Sequence, residues 1–405
     1  GREPMDWDIT TSAMPEETKA LFPHTFDTGI EHGTITVLLD HEGFEVTTYR
    51  VDGKYEDSRH PKEVIFVRNL QEDLLRRDFT INAMAYNEKE GLVDIFGGMD
   101  DLKAGIIRCV GNAQARFSED ALRILRGIRF AAQLGFELED ETREGMRLLA
   151  PTLRKISAER IQVELVKTLT SSRPDLLREA WKLGITKEFL PEFDLAMETT
   201  QETVHHMYTV GEHILHTLLE VRPDRILRLT MLLHDIGKPY MKTMDADGVA
   251  HFKGHPEKSS ELANEILHRL KFDNDTIRKV TKLVRYHDHR MPVTPAHVRR
   301  AVHEIGEDLF PLYLEVRRAD VAAQSMYQRK EKVADIDGVE KLYHEIMERK
   351  ECVSLKTLAV TGKDLIAAGM KPGKEIGQML EHFLDLVLEH PELNQKEELL
   401  KRIEL

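Results

Sequence analysis

Three acidic residues near the start of the chain have the spacing of a divalent-metal site. Asp6 and Asp8 are separated by one residue, so in an extended strand their carboxylates project from the same face. Glu45 lies in a segment rich in β-branched residues, and we expect it on a buried sheet face, where an unpaired charge is unfavourable. Carboxylates on neighbouring strands can hold two Mg²⁺ ions, which activate a hydroxyl and clamp a triphosphate. The spacing therefore predicts phosphoryl transfer, with two solvated acids at a strand edge as the alternative.

Arg77 is a candidate for binding the triphosphate. It is the second of two adjacent arginines that precede an apolar run. The planar guanidinium can donate two parallel hydrogen bonds to phosphate oxygens. The alternative is a surface salt bridge with Asp73 or Asp78.

A second charged group follows a helical pattern between residues 119 and 130. Asp120, Arg123, Arg126 and Arg129 are spaced three apart, which makes them neighbours along one face of a helix. A carboxylate accepts from the amino group of C or A, and an adjacent guanidinium donates to the ring nitrogen or carbonyl beside it, whereas G and U present the wrong donors. The pattern therefore suggests a base-recognition edge, and an ordinary solvated face is the alternative.

Histidines and aspartates are concentrated in the third quarter of the chain, where the pattern is entirely helical. Such residues on separate helices can coordinate a metal with nitrogen and oxygen ligands. A helical scaffold without turnover is the alternative. The candidate ligands are His213, His234, Asp235, His255, His287 and Asp320.

Composition limits the class of protein. The chain has 405 residues, of which 41% are hydrophobic and 32% charged, as expected for a globular protein with several cores. We see no membrane-length apolar run and no signal peptide, and we expect a cytoplasmic protein without membrane association. The two cysteines, Cys109 and Cys352, exclude a disulfide framework and a cysteine-based zinc site. The net charge of −14 means that a nucleic acid would have to meet a local basic surface.

Residue patterns predict an α+β protein. Segments 34–39 and 44–49 have the composition of two strands joined by a turn, and 64–67 that of another strand. The polar segment 53–61 is typical of a mobile loop over a site. From Phe117 onwards the periodicity is helical, with Leu122, Leu125 and Ile128 along one stripe.

Five motifs occur in a fixed order: Asp6-Trp7-Asp8-Ile9-Thr10-Thr11, Thr-Gly-Ile-Glu-His-Gly-Thr (28–34), Arg-Arg-Asp-Phe-Thr-Ile-Asn-Ala (76–83), Glu119-Asp120-x-x-Arg123 and Glu159-Arg160-Ile161-x-x-Glu164. In this the chain resembles the bacterial class II tRNA nucleotidyltransferases, which comprise the CCA-adding enzymes and their poly(A) polymerase relatives. The resemblance covers the chain to about residue 190. It implies a polymerase β-like, mixed-sheet nucleotidyltransferase head.

The same resemblance implies roles for individual residues. Asp6, Asp8 and Glu45 would hold Mg²⁺, and Asp120 with Arg123 would act as a protein template for CTP or ATP. The implied ligands of the nucleotide, mainly of its phosphates, are Arg77, Arg126 and Arg129.

Residues 232–238, Leu-Leu-His-Asp-Ile-Gly-Lys, resemble the HD phosphohydrolase superfamily. The resemblance implies a divalent metal and hydrolysis of phosphoesters, with damaged RNA ends such as 2′,3′-cyclic phosphates as one substrate class. The implied metal ligands are His213, His234, Asp235 and Asp320, whereas His255, His287 and Lys238 would assist a second metal or contact phosphate.

Together the two resemblances imply four domains: a head (1–112), a helical neck with the nucleotide template (113–192), an HD domain (193–328) and a helical, tRNA-binding tail (329–405). The implied function is addition of CCA to the 3′ end of tRNA from CTP and ATP. A poly(A) polymerase or A-adding enzyme is one alternative, and an HD phosphohydrolase with a vestigial head is another. The family carries a Gly-Gly-x-x-Arg-Asp loop just upstream of the Asp-x-Asp strand, and we expect this head to be truncated at its N-terminus.

Overall fold

The computed structural model describes residues 7–52 and 64–403, which form two compact units that divide between Pro191 and Glu192. The predicted loop 53–61 and Asp6 lie outside the described residues. None of the helices within those two ranges is both long enough and apolar enough to cross a bilayer.

A four-stranded sheet organises the start of the first unit. Its strands are β1 (Ile9–Thr11), β2 (Thr25–Gly29), β3 (Thr34–Leu39) and β4 (Glu42–Thr48), in the order β1-β4-β3-β2. Strands β3 and β4 are antiparallel, which confirms the predicted hairpin. Asp40 and His41 form the tight turn with positive φ angles of 48° and 70°. Strand β1 pairs in parallel with β4, so the first strand lies at the edge of the sheet.

The other strands of the first unit are β5 (Arg50–Asp52), β6 (Val64–Phe66), β7 (Met84–Asn87), β8 (Gly91–Asp94), β9 (Ile106–Ile107) and β10 (Glu137–Leu138). Its α-helices are α1 (Pro15–Leu21), α2 (Leu70–Leu75), α3 (Gly98–Ala104), α4 (Ala113–Glu119), α5 (Leu122–Leu134), α6 (Asp140–Leu149), α7 (Ala158–Leu169) and α8 (Leu177–Lys182). Short 3₁₀ helices lie at Ile30–His32, Thr80–Asn82, Ala150–Lys155, Pro174–Leu176 and Thr186–Glu188.

Helix α5 is the central helix of this unit. Leu122, Leu125 and Ile128 are buried, which confirms the predicted apolar stripe. Gly127 lies where a Cβ atom would collide with Met146 and Phe79, so glycine allows the close approach of these side chains. Helix α5 is packed against α7, and this contact brings the charged faces of the two helices to one place.

The second unit is mainly helical. Its helices are α9 (Pro191–Glu198), α10 (Val210–Glu220), α11 (Arg225–Leu233), α12 (Lys238–Met241), α13 (His255–Arg269), α14 (Asn274–Tyr286), α15 (Pro295–Ile305), α16 (Phe310–Ala322), α17 (Arg329–Glu348), α18 (Gly362–Ala367), α19 (Lys374–Glu389) and α20 (Lys396–Leu400), with a 3₁₀ helix at Pro391–Leu393. A two-residue hairpin, β11 (Thr243–Met244) and β12 (Ala250–His251), interrupts them.

Two details correct the prediction of all-helical neck and HD regions. Strand β10 lies within the predicted neck and pairs in parallel with β9, and the β11–β12 hairpin lies within the predicted HD region. Two-residue strands are too short to produce an alternating pattern that could be recognised in the sequence.

Candidate functional site

A cavity of ≈ 1060 Å³ in the first unit collects most of the predicted nucleotide ligands. The predicted residues that line it are Asp8, Arg77, Asp120, Arg123 and Arg126. The acidic side chain just before β1, the carboxylate just before α5 and two arginines of α5 therefore line the same space.

Asp8 directly precedes β1, and the pairing of β1 with β4 determines which face of the sheet its side chain shares. Thr10 pairs with Thr47 on β4, and both line the cavity. Because side chains alternate along strands, Asp8 and Glu45 fall on the same face as these threonines. The register therefore brings one predicted metal ligand of β4 to the face that carries Asp8.

The expected burial of Glu45 is wrong. Glu45 pairs with Thr36 and is exposed, and it is not among the residues that line the cavity. Ile35 and Val37, on the opposite face of β3, are the buried residues. Both faces of these strands carry β-branched residues, so composition alone could not distinguish the buried face from the exposed one.

Two of the arginines in the cavity are held by buried or nearly buried carboxylates. Arg77 Nη2 lies 3.5 Å from Asp73 Oδ2, which corresponds to the alternative of a salt bridge, although Asp73 is fully buried. Arg126 Nε donates to Asp78 Oδ2 over 2.7 Å. Both guanidinium groups are thus oriented while they still face the cavity.

Arg129 lies elsewhere than expected. Its Nε donates to Glu164 Oε2 over 2.6 Å, and its guanidinium stacks 4.0 Å from the centre of the Phe130 ring. It is buried and is not among the residues that line the cavity. A buried carboxylate needs an oppositely charged partner, and Arg129 on α5 is that partner for Glu164 on α7.

Arg123 is fixed by acceptors around it. Its Nη1 donates to Glu119 Oε2 over 2.6 Å and to the carbonyl of Arg116 over 3.1 Å. Its Nη2 donates to the carbonyl of Arg76 over 2.9 Å. These bonds hold the side chain at the wall of the cavity in one orientation.

Asp120 is oriented by a residue to which the sequence interpretation gave no role. Its Oδ2 accepts from Arg160 Nη2 over 2.8 Å, and its Oδ1 accepts from the backbone N–H of Leu122 over 3.0 Å. Arg160 also lines the cavity. Arg160 belongs to the motif that begins at Glu159, which marked it as a residue of interest. Its contact with Asp120 could not be predicted, because the two residues are forty positions apart in the sequence.

The second unit brings all six predicted histidine and aspartate ligands together in its interior. The Nε2 atoms of His213 and His234 are 3.3 Å apart, and those of His255 and His287 are 3.2 Å apart. Asp235 lies between the pairs. Its Oδ2 is 3.5 Å and 3.4 Å from the first pair, and its Oδ1 is 3.4 Å from each member of the second.

The histidine rings are held by backbone carbonyls. Nδ1 of His234, His255 and His287 lies 2.8, 2.8 and 2.6 Å from the carbonyls of Met231, Phe252 and Val284. A carbonyl only accepts, so each Nδ1 carries the hydrogen and each Nε2 presents a lone pair to the cluster. These lone pairs, with His213 Nε2 and the two oxygens of Asp235, fit two cations with Asp235 between them.

The remaining polar groups complete this cluster. Asp320 Oδ1 lies 2.9 Å from His213 Nε2. Lys238 Nζ is 2.6 Å from Asp235 Oδ2, but neither oxygen of Asp235 has a hydrogen bond of acceptable geometry within the described part of the chain. Burial by itself would raise the pKa of Asp235, yet Lys238 and His234 hold that pKa well below its usual range.

His206 is a further residue at this site that the sequence analysis missed. It lines the same ≈ 460 Å³ cavity as Asp235, and its ring centre is 5.1 Å from that of His213. Burial, reinforced by the charge of Lys238, lowers its pKa to about 2, so its ring is neutral. The segment that precedes α10 has no periodic pattern, so no sequence signal indicated its position.

Comparison with known proteins places the chain in a family. Residues 1–108 match the Poly A polymerase head domain, residues 135–197 a probable RNA and SrmB-binding site of polymerase A, and residues 251–403 a putative tRNA nucleotidyltransferase domain 2. The CCA-adding enzyme of Levilactobacillus brevis is 35% identical over 381 residues, which cover 94% of this chain and 84% of that enzyme. The CCA-adding enzyme of Pediococcus pentosaceus is 35% identical over 400 residues, covering 98% and 88% of the two chains.

Among solved structures, the Bacillus stearothermophilus CCA-adding enzyme in complex with CTP has a TM-score of 0.67 and 27% identity, with 96% of this chain and 85% of that chain covered. Such identity across nearly the whole length confirms both the predicted family and the α+β fold class. The chain therefore belongs to the family of CCA-adding enzymes and poly(A) polymerases and is a nucleotidyltransferase.

Proposed function

We propose that this nucleotidyltransferase adds CCA to the 3′ end of tRNA, using CTP and ATP and no nucleic-acid template. The names of its relatives and the CTP complex of the Bacillus stearothermophilus enzyme support this function. The observation that carries it is one cavity that Asp8 lines together with Asp120, Arg123 and further arginines, among them Arg77, Arg126 and Arg160. A tRNA substrate also implies a cytoplasmic location.

Membership of this family implies a divalent metal in the head, and we propose Mg²⁺. Asp6, Asp8 and Glu45 would hold it, and the donor set fits because hard carboxylate oxygens are the ligands that Mg²⁺ prefers. When bound, the metal would supply activation of the terminal tRNA hydroxyl and neutralisation of triphosphate charge. Glu45 is available for this role because it is exposed on the face shared with Asp8.

The other side chains of the cavity would bind the phosphates and the base of the nucleotide. Arg77 and Arg126 would bind phosphate oxygens, with Asp73 and Asp78 keeping their guanidinium groups in place. Asp120 would accept from the exocyclic amino group of C or A, and Arg123 would donate to the neighbouring ring nitrogen or carbonyl. Arg129 is left out of the nucleotide contacts because it is bonded to Glu164.

The test is incubation with tRNA that lacks CCA and with labelled CTP or ATP. We expect incorporation of both nucleotides and a product longer by three residues. Incorporation of ATP alone would indicate a poly(A) polymerase or A-adding enzyme. Incorporation of neither would contradict the proposal and leave the second unit as the active part.

We also propose a metal-dependent phosphohydrolase activity in the second unit. Four histidine Nε2 atoms and both oxygens of a buried aspartate converge there. The carbonyl-bound Nδ1 atoms of His234, His255 and His287 leave the Nε2 lone pairs of these three rings directed inwards. His213, His234, Asp235 and Asp320 would hold one divalent cation. The ligands of a second would be Asp235, His255 and His287. The chain would then consist of a head (1–112), a neck (113–192), an HD domain (193–328) and a tRNA-binding tail (329–405).

Metal analysis and a phosphodiesterase assay test this activity. We expect bound metal and hydrolysis in the wild type, and loss of both in Asp235→Ala. Asp245→Ala is a matched control because Asp245 forms an exposed pair with His251 over 2.8 Å. Absence of metal together with equal activity in the wild type and Asp235→Ala would reduce this unit to a helical scaffold.

A further inference from the structure

Asp73 on α2 is a fully buried carboxylate behind the wall of the nucleotide cavity. Its Oδ1 accepts from Arg76 Nε over 3.0 Å and from Arg76 Nη2 over 2.9 Å. The backbone N–H of Arg50 donates to the same oxygen over 3.2 Å. Asp73 does not line the cavity, whereas Arg50, Arg76 and Arg77 do. One carboxylate therefore contacts three residues of the cavity wall from behind.

The other oxygen of Asp73 faces Arg77. Arg77 Nη2 lies 3.5 Å from Asp73 Oδ2, and no further donor within the described ranges is bonded to that oxygen. Arg76 is bound more closely, through two N–H groups. Because a buried carboxylate needs a counter-charge and Arg76 supplies it, Arg77 can turn towards a phosphate without leaving Asp73 unpaired.

The residues bound to Asp73 also contact the helix that carries the proposed base-reading group. Arg123 Nη2 on α5 donates to the backbone carbonyl of Arg76 over 2.9 Å. Asp73 holds the side chain of Arg76, and the carbonyl of Arg76 holds Arg123. A continuous series of contacts thus leads from Arg77 through Asp73 and Arg76 to Arg123.

We propose that Asp73 is a positioning residue that couples triphosphate binding to base selection. It orients Arg77 for the phosphates, and through Arg76 it keeps Arg123 in the orientation in which it donates to C or A. This inference rests on the proposed addition of CCA and gives a role to a residue outside the cavity. A purely structural role for Asp73 would affect folding and leave the choice between nucleotides unchanged.

The test measures kcat and KM of the full chain for CTP, ATP and UTP on tRNA that lacks CCA. Asp73→Asn keeps the shape of the side chain and removes its charge, and we expect KM for CTP and ATP to rise about tenfold. The ratio of kcat/KM for UTP to that for CTP should rise about fivefold. This ratio does not depend on the fraction of folded enzyme, so a loss of stability cannot imitate the effect.

Glu72→Gln is the matched control, because Glu72 is exposed on the same helix and does not line the cavity. Its KM values and its nucleotide ratio should change less than about twofold. Arg76→Lys is a second variant that keeps the positive charge beside Asp73 and loses the paired donors of Arg76. We expect it to raise the ratio about threefold, and it decides the matter where Asp73→Asn does not fold.

A double variant tests the route through Arg123. Arg123→Lys alone should raise the ratio of UTP to CTP, because lysine lacks the planar fork of arginine. Residues that act through one another have non-additive effects, so adding Asp73→Asn to Arg123→Lys should change the ratio less than about twofold. Multiplication of the two single effects would overturn the route from Asp73 to the base.

The inference and the proposed function fail in different ways. If the wild type adds CCA and the ratio is unchanged in Asp73→Asn and Arg76→Lys, the role of Asp73 is overturned and CCA addition stands. If the wild type incorporates neither CTP nor ATP, both are overturned.

Discussion

Arg160 on α7 donates a hydrogen bond from Nη2 to Oδ2 of Asp120 over 2.8 Å, and this contact fixes the carboxylate that precedes α5. Because the backbone N–H of Leu122 binds the other oxygen, the plane of the carboxylate is held from both sides. The orientation of the proposed base-recognition group thus depends on a neighbouring helix.

Loss of this contact should impair nucleotide selection more than stability. In Arg160→Ala we expect kcat/KM for CTP and ATP to fall by about tenfold, which corresponds to about 1.4 kcal/mol, because the carboxylate can rotate away from the base. Steady-state incorporation into tRNA measures the effect, and misincorporation of UTP should rise. Arg154→Ala is the control, because Arg154 pairs with Glu188 and does not line the cavity. Unchanged kinetics in Arg160→Ala would show that Asp120 needs no such partner.

Arg299 should be important for the stability of the second unit. It is buried, and it donates to the carbonyl of Leu388 over 2.7 Å and to Glu351 Oε2 over 2.7 Å. Arg299→Met removes the buried donor from both acceptors, and we expect the free energy of unfolding to fall by about 3 kcal/mol. Urea denaturation followed by circular dichroism measures it. Arg300→Met, at the adjacent and more exposed position, should change stability by less than about 1 kcal/mol.

Cys109 should make stability depend on alkaline pH. Burial, with the nearby charge of Asp78, raises the pKa of its thiol from 9.0 to about 12. The unfolded chain loses the thiol proton at lower pH than the folded one, so this contribution to stability is complete below pH 9 and declines between pH 9 and 12. The unfolding free energy of wild type relative to Cys109→Ala should fall by about 1 kcal/mol from pH 9, where the unfolded thiol is half ionised, to pH 10. A difference independent of pH in this range would contradict the burial of a protonated thiol.

Divalent metal should stabilise the second unit. A ligand present at one hundred times its dissociation constant adds about 2.7 kcal/mol when it binds only the folded state. We expect Mn²⁺ to raise the melting temperature of the wild type and a chelator to reverse the change, while Asp235→Asn shows a much smaller response. Asp245→Asn should behave as wild type. An equal response in all three proteins would assign the metal to another part of the chain.

Local patterns in the sequence were sufficient to predict the sheet hairpin, the α5 stripe and the family. Each of these depends on residues close together along the chain, such as Leu122, Leu125 and Ile128, whose spacing sets their common face. The six residues that the structure brings together in the second unit could also be named, because the pair His234-Asp235 is a distinctive motif and the other members are of matching type.

The partners of the arginines could not be predicted in the same way. Arg129 and Arg160 both lie among charged residues on amphipathic helices, yet one binds Glu164 inside the protein and the other binds Asp120 at the cavity. Which of the two faces the cavity depends on how α5 and α7 pack. The exposure of Glu45 likewise depends on which face of the sheet is covered, and strand composition did not reveal it.

The carbonyls that hold His234, His255 and His287 each lie three residues earlier in the chain than the ring they bind. The rotation of these imidazoles is therefore restricted by short stretches of backbone and not by distant parts of the fold. A small shift of one helix would carry its ligand along without turning the ring, so the site can adjust to cations of different radius while the lone pairs still point at the ion. Such a site should exchange one divalent ion for another readily.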